Sequence, residues 1–297
     1  MMNVEIRDPA FRHIVGEDVS FEQLGTGFLF TEGPLWRAET RTLYFSDMPG
    51  DIMRCWSAAK GVTSFRQPSR KSNGLAWDRQ GRLLACEHAS SQVTRTEADG
   101  RITTLASHYD GKELNSPNDI VVHSDGSIYF SDPSYGRMEF YGLPRPVQLD
   151  FRGVYRIDPE QGEVRLLVHD FGQPNGLCFS ADERQLFVND TEHGHIRVFD
   201  VRDDGGLDGG GVWAETTGDG EGAPDGMKFD SAGNLYTCGP GGIHVFSPDG
   251  HCLGVIRTPE VAANFTWGDD DMRSLFITAS TSLYRVRVNT AGKPSPF

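Results

Sequence analysis

Six times along the chain an acidic or amide side chain stands immediately ahead of a short apolar run: Glu32, Asn73, Asn118, Asn175, Asp225 and Asn264. The surrounding text is nearly constant, as in Thr31-Glu-Gly-Pro-Leu-Trp36, Pro174-Asn-Gly-Leu-Cys-Phe179 and Pro224-Asp-Gly-Met-Lys-Phe229. Glu32 and Asp225 supply negative charge, and Asn118 and Asn175 supply neutral amide oxygens. Hard divalent cations prefer such all-oxygen sets, and two carboxylates balance a charge of +2. Ca²⁺ takes roughly 6–8 oxygens, so four protein ligands leave positions for water or a substrate. Asn-Gly and Asp-Gly are also turn dipeptides, and one per repeat would serve folding alone. Against that, Glu32 is a poor turn residue, and Pro117, Pro174 and Pro224 stiffen the approach to Asn118, Asn175 and Asp225. Asn73 and Asn264 are candidates for substrate contact or for closing a turn.

These side chains meet only if the elements carrying them are arranged around one axis. Subtracting residue numbers gives intervals of 41, 45, 57, 50 and 39. A repeat of that length is the signature of radially arranged sheets. Within the fourth unit, strands are predicted at 176–179, 185–189, 195–199 and 212–215, with a glycine-rich loop over 203–211. Gly and Asp in the intervening turns tolerate positive φ. The fold class predicted is all-β: a six-bladed β-propeller of four antiparallel strands per blade, forming a single domain over 1–297. The sixth unit runs out of chain, so segment 21–30 is expected to supply its outer strand and close the ring. The innermost strand of each blade lines the channel, which brings the six repeat positions to a common rim. The longest interval contains an insertion, 132–146, rich in Tyr, Pro and Gly, which is expected to form a lid over that end of the channel.

A net charge of −14 and a pI near 5.0 argue against a nucleic-acid partner, whose binders carry a basic patch. No apolar run approaches a membrane span, and the N-terminal text carries no basic-then-apolar leader. Five cysteines, none in a close Cys-x-x-Cys pair, read as reduced apolar residues. The expected localisation is cytoplasmic, as a monomer or homodimer.

His88 and His193 each follow a second strand, which makes them candidates for substrate contact near the channel mouth; His195 opens a strand and reads as structural. Tyr135 and Phe265 are candidates for the apolar wall of a sugar pocket. No Gly-x-Ser-x-Gly elbow supports a serine hydrolase. The His193/His195 alternation lacks the further ligand spacing of a zinc site.

Taken in order, Thr31-Glu-Gly-Pro-Leu-Trp36, Ser72-Asn-Gly-Leu75 with Ala85-Cys-Glu-His88, Ser116-Pro-Asn-Asp119 with Tyr129-Phe-Ser-Asp-Pro-Ser-Tyr-Gly136, Pro174-Asn-Gly-Leu177 with Phe187-Val-Asn-Asp190, and Pro224-Asp-Gly-Met227 with Gly233-Asn-Leu-Tyr236 resemble the senescence-marker-protein/regucalcin and gluconolactonase family. The Cys-Glu-His and Asp-Pro-Ser-Tyr-Gly stretches look most like bacterial gluconolactonases. The resemblance implies one divalent metal in the channel, with ligands at Glu32, Asn175 and Asp225. It makes Asn118 a weaker ligand or a substrate contact. Regucalcin-type members have an arginine where this chain has Ser116, so sugar contacts from that arginine do not carry over. The implied activity is metal-dependent hydrolysis of a sugar lactone, with Ca²⁺ the first expectation and Zn²⁺, Mg²⁺ or Mn²⁺ alternatives. Asp225 is the candidate general base or nucleophile. A phosphotriesterase on the same metal set and a non-catalytic calcium-binding propeller are the rival readings.

Overall fold

The computed structural model describes residues 3–16 and 19–293. Six antiparallel blade sheets follow one another along the chain, each meandering outward from a central channel, with a separate two-stranded ribbon at His108–Tyr109 and Lys112–Glu113. The inner strands are Thr31–Arg37, Ser72–Trp77, Ile120–Val122, Pro174–Phe179, Met227–Phe229 and Ala262–Gly268. Their two faces are buried by neighbouring blades, which is why they read as continuous apolar runs rather than alternating ones. The core follows as a series of inter-blade layers. Trp36, Phe45 and Trp56 of the first blade pack on Phe276 of the sixth, and Tyr236 and Cys238 of the fifth pack on Phe265 and Trp267.

The ring closes as expected. Phe21–Thr26 pairs antiparallel with the last strand, Phe21 opposite Val286 and Thr26 opposite Ser282, completing blade six. A second tie was not anticipated: Val4–Ile6 adds a fifth strand to blade five, outside Cys252–Arg257. The short helix Phe11–Val15 buries Phe11 against the backbone of Gly254, where a Cβ would lie 2.5 Å from the ring. The fourth blade corrects the proposed glycine-rich loop. Leu207–Glu215 is a nine-residue outer strand containing Gly209–Gly211, with two register shifts against its partner. Glycines at φ +85° and +94° make these bulges, which an exposed edge strand tolerates.

All five cysteines are free thiols; three are buried, whereas Cys55 and Cys252 are partly exposed. Among the described residues no helix is long and apolar enough to cross a membrane.

Candidate functional site

The repeat residues do not precede the inner strands uniformly. Glu32, Asn73, Asn175 and Asn264 lie inside them, at or beside a register shift between inner and second strand; the shifts fall at Glu32/Leu35, Ser72/Leu75, Pro174/Leu177 and Ala262/Asn264. Each bulge turns one side chain out of the sheet toward the axis. The glycine that follows has a steric reason. A Cβ at Gly33 would sit 2.0 Å from the Asn73 carbonyl, at Gly74 2.5 Å from that of Asn118, and at Gly176 2.1 Å from that of Asp225. In four blades the glycine after the repeat residue is therefore pressed against the next blade's repeat residue, Gly226 against Asn264 being the fourth, and only the missing side chain allows the inner ring to be so tight there.

This geometry brings Glu32, Asn73, Asn118, Asn175 and Asp225 to one cavity of about 160 Å³, together with His88, Tyr135, Phe30, Met48, Tyr141 and Thr191. Of the residues expected at a site, His193 is outside this wall. Its side chain is 54% exposed, with Nδ1 2.8 Å from Asp190 Oδ2. Phe265 is also outside, fully buried among Tyr236 and Trp267. Asn264 supports the wall from behind. Its Oδ1 accepts from the Phe265 amide at 2.9 Å and from Lys228 Nζ at 3.4 Å, so its Nδ2 donates to Glu32 Oε2 at 3.2 Å.

Two carboxylates face one another in this cavity. Burial pushes both Glu32 and Asp225 above their ordinary values, and each feels the negative charge of Asp119 as well; Asp225 additionally feels Glu32. Without a compensating cation, like charges buried together favour retention of protons. Asn175 donates through Nδ2 to Thr191 Oγ1 at 3.1 Å, and its Oδ1 is buried without a partner. An orphaned amide oxygen beside two crowded carboxylates is the donor set of a hard divalent cation, and the residues fit one. His88 is of a different kind. Burial lowers it to about 4, so the ring is neutral. Nδ1 lies 3.1 Å from the Tyr141 carbonyl and must carry the proton, which leaves Nε2 to accept from Asn73 Nδ2 at 3.3 Å. Tyr135, pushed up to about 12 by burial, stays a neutral phenol donor.

The insertion roofs the cavity. Tyr135 lies in the turn Tyr135–Arg137, and Tyr141 packs edge-on to Phe30, ring centroids 5.5 Å apart. Lys71 Nζ donates to the carbonyls of Glu139, Phe140 and Gly142 at 3.1–3.2 Å. Ser116 holds the other end: its hydroxyl donates to the Pro133 carbonyl at 2.6 Å and accepts from the Gly136 amide at 2.9 Å. Sequence reasoning missed Phe30, Met48, Tyr141 and Thr191. For two of them a signal was available in a second repeat. Met48, His88 and Thr191 each follow an acidic residue closing a second strand, in Asp47-Met48, Glu87-His88 and Asp190-Thr191. Asp47 and Asp190 accept backbone amides leading into the same blade's inner strand, Leu29 for the first and Gly172 and Gln173 for the second. The acid clasps the strand entrance and the residue after it faces the cavity.

Residues 30–281 match the family described as SMP-30/Gluconolactonase/LRE-like region. The gluconolactonase of Zymomonas mobilis is 31% identical over 96% of this chain and 85% of its own length. A solved gluconolactonase from Xanthomonas campestris superposes with a TM-score of 0.89 at 36% identity, covering 96% of this chain and 94% of that one. The calcium-binding protein regucalcin from Agrobacterium tumefaciens shares the fold with a TM-score of 0.78 at 19% identity, over 94% of this chain and 97% of its own. With its six-bladed ring, its repeat residues gathered at one mouth and this match along most of its length, the chain belongs to the SMP-30/gluconolactonase family.

Proposed function

We propose that the chain is a cation-dependent hydrolase of sugar lactones, working at the cavity between Glu32, Asn175 and Asp225. The observation that carries this reading is the pairing of two buried carboxylates with the unpartnered Asn175 Oδ1, in a chain whose relatives include gluconolactonases. Glu32, Asn175 and Asp225 would hold one divalent ion, with Asn118 as a further oxygen, and Ca²⁺ is the first choice for an all-oxygen set. When bound, that ion supplies electrophilic polarisation of the lactone carbonyl and charge stabilisation of the oxyanion formed on attack.

The chain's own groups do the rest. Asp225, ionised once a cation balances its charge, takes the proton of the attacking water or attacks directly. Asn264 and the Gly33 amide (2.8 Å) both bond Glu32 Oε2, fixing the carboxylate's orientation. Asn73 is held by His88, and with Asn118 and the Tyr135 phenol it offers donors and acceptors to ring hydroxyls. Phe30, Met48 and Tyr141 present an apolar face to the ring carbons and limit water. We read residues 1–297 as one domain.

The test is a panel of aldonolactones with chelator-stripped protein, re-adding Ca²⁺, Zn²⁺, Mg²⁺ and Mn²⁺ singly. Turnover that appears only with a cation is expected. Full activity in excess chelator, or none on any lactone with any cation, overturns the reading.

A further inference from the structure

We infer a second cation site, independent of the channel, at Asp190, His193 and His195, suited to an ion of the zinc, nickel or copper kind. One ligand atom from each of the three lies within 4.8 Å of the others. Ligands sharing a zinc ion at about 2.0–2.2 Å stand roughly 3–4 Å from one another, so small rotamer adjustments close this set. The arrangement follows from the fold. Asp190 ends the strand Gln185–Asp190 and registers directly opposite His195, which opens the strand His195–Val201. The turn between them carries His193 back over the pair, with the two imidazoles parallel at 10° and their centroids 5.5 Å apart.

Asp190 and His195 are already in a state a metal can use, whereas His193, raised by its hydrogen bond to Asp190 and that carboxylate's charge, must give up a proton to bind. Asp190 is 1% exposed yet ionised: burial pushes its carboxyl up, but His193 and the amides of Gln173 and Gly172 outweigh that and hold it below the usual range. Its orientation is fixed by Gly172 at 2.8 Å and Gln173 at 2.9 Å. His195 is lowered by burial, so its ring is neutral and keeps a lone pair. His193 Nδ1 stands 2.8 Å from Asp190 Oδ2 with a proton between them. Two ligands at a tetrahedral angle about one ion at about 2.05 Å are separated by roughly 3.3 Å, so the pair opens by about half an ångström for the cation to take that proton's place. Glu215 lies opposite His195 in register and adds negative charge. Arg197, the adjacent cation, is engaged by Asp170 at 2.7 Å.

Two imidazoles and one carboxylate separate this site chemically from the channel set. Imidazole suits zinc, nickel and copper, whereas an all-oxygen ring suits calcium. The site also abuts the cavity wall: Thr191, in the same turn, lines the cavity and holds Asn175. An ion here would pin the turn that carries Thr191.

The experiment is a calorimetric titration of Zn²⁺ into protein saturated with Ca²⁺, for the unaltered chain, His193→Ala, His195→Ala and Glu32→Gln, with thermal melts to establish that each is folded. The unaltered chain and Glu32→Gln should take up one equivalent of Zn²⁺, and each histidine variant should bind it at least about tenfold more weakly. No Zn²⁺ uptake by the unaltered chain, unchanged affinity in both histidine variants, or loss of the event in Glu32→Gln instead, overturns the inference. The channel reading stands or falls separately, on the lactone panel.

Discussion

At the residue scale the chain buries carboxyl groups whose ionised forms repel one another, a repulsion that retained protons or a bound cation would relieve. Glu32 and Asp225 are buried side by side within the influence of Asp119, and burial raises all three. Glu32→Gln and Asp225→Asn should each abolish cation-dependent turnover by about a thousandfold or more while leaving the melting temperature of the chelated protein unchanged or higher, because each removes a buried charge. A variant that melts well below the parent would show these groups to be structural instead. The same pair sets a pH dependence. A carboxyl raised in the folded state contributes stability that is complete below its unfolded value and is lost as pH climbs through the raised value. Asp132, raised to about 7 chiefly by burial, acts in the same direction. Chelated protein should therefore melt progressively lower between about pH 5 and pH 8, and a saturating divalent cation should restore much of the loss at the upper end. A flat or rising melting profile without metal would contradict the assignment. His88, lowered to about 4, acts in the opposite sense between about pH 4 and 6.5, where the unfolded ring binds a proton and the folded one does not, so the fall in melting temperature should be clearest above about pH 6.5.

The elements decide how accurately those residues are held. Four of the six inner strands are bulged at or beside the repeat residue, and where a glycine follows it lets the neighbouring blade close in. At Gly176 a Cβ would lie 2.1 Å from a backbone oxygen of Asp225, so no side-chain adjustment relieves it. Gly176→Ala should cost about 3 kcal/mol of stability and weaken cation binding by moving Asp225, read by melting and calorimetry on one sample. Unchanged cation affinity would mean that the inner ring does not set the site. The lid is tied at its Glu139–Gly142 end by the Lys71 ammonium on three carbonyls, with Ser116 holding the other end. Lys71→Met should raise KM about three- to tenfold with kcat nearly kept, since it loosens Tyr141 without touching the carboxylates. A kcat loss with unchanged KM would place the lid in the chemical step. Ser116 shows why the lid fits this chain. Its small hydroxyl leaves room for Gly136, whose Cβ would lie 2.5 Å from that of Ser116.

Over the whole molecule, stability depends on closing the ring. The last blade has its outer strand from residues 21–26, and blade five is capped by residues 4–6, so both ties come from the N-terminal segment. Removing residues 1–26 would uncover Phe276, Leu283 and Val286 and leave two sheet edges unpaired. The melting temperature should fall by at least about 10 °C, and an unchanged melt would show that the ring holds without its N-terminal tie.

The period of the Glu/Asn/Asp-Gly text was enough to fix the propeller, because a repeat that cannot bury its own faces must stack on its neighbours. It was also enough to bring Glu32, Asn73, Asn118, Asn175 and Asp225 to one mouth, since equivalent positions around a ring share an axis. Local text could not separate Asn264, which turns its amide to Glu32, from the repeat residues that line the cavity, nor His88 from His193. Both histidines follow second strands, but one is folded under the insertion and the other faces solvent beside Asp190. That difference comes from contacts 53 and 68 residues apart in sequence, His88 to Tyr141 and Lys71 to Glu139. The fifth strand of blade five and the extension of blade four's outer strand back from 212 to Leu207 through the glycines were equally illegible, because an edge strand takes its conformation from its partner's unpaired amides and carbonyls, not from its own side chains.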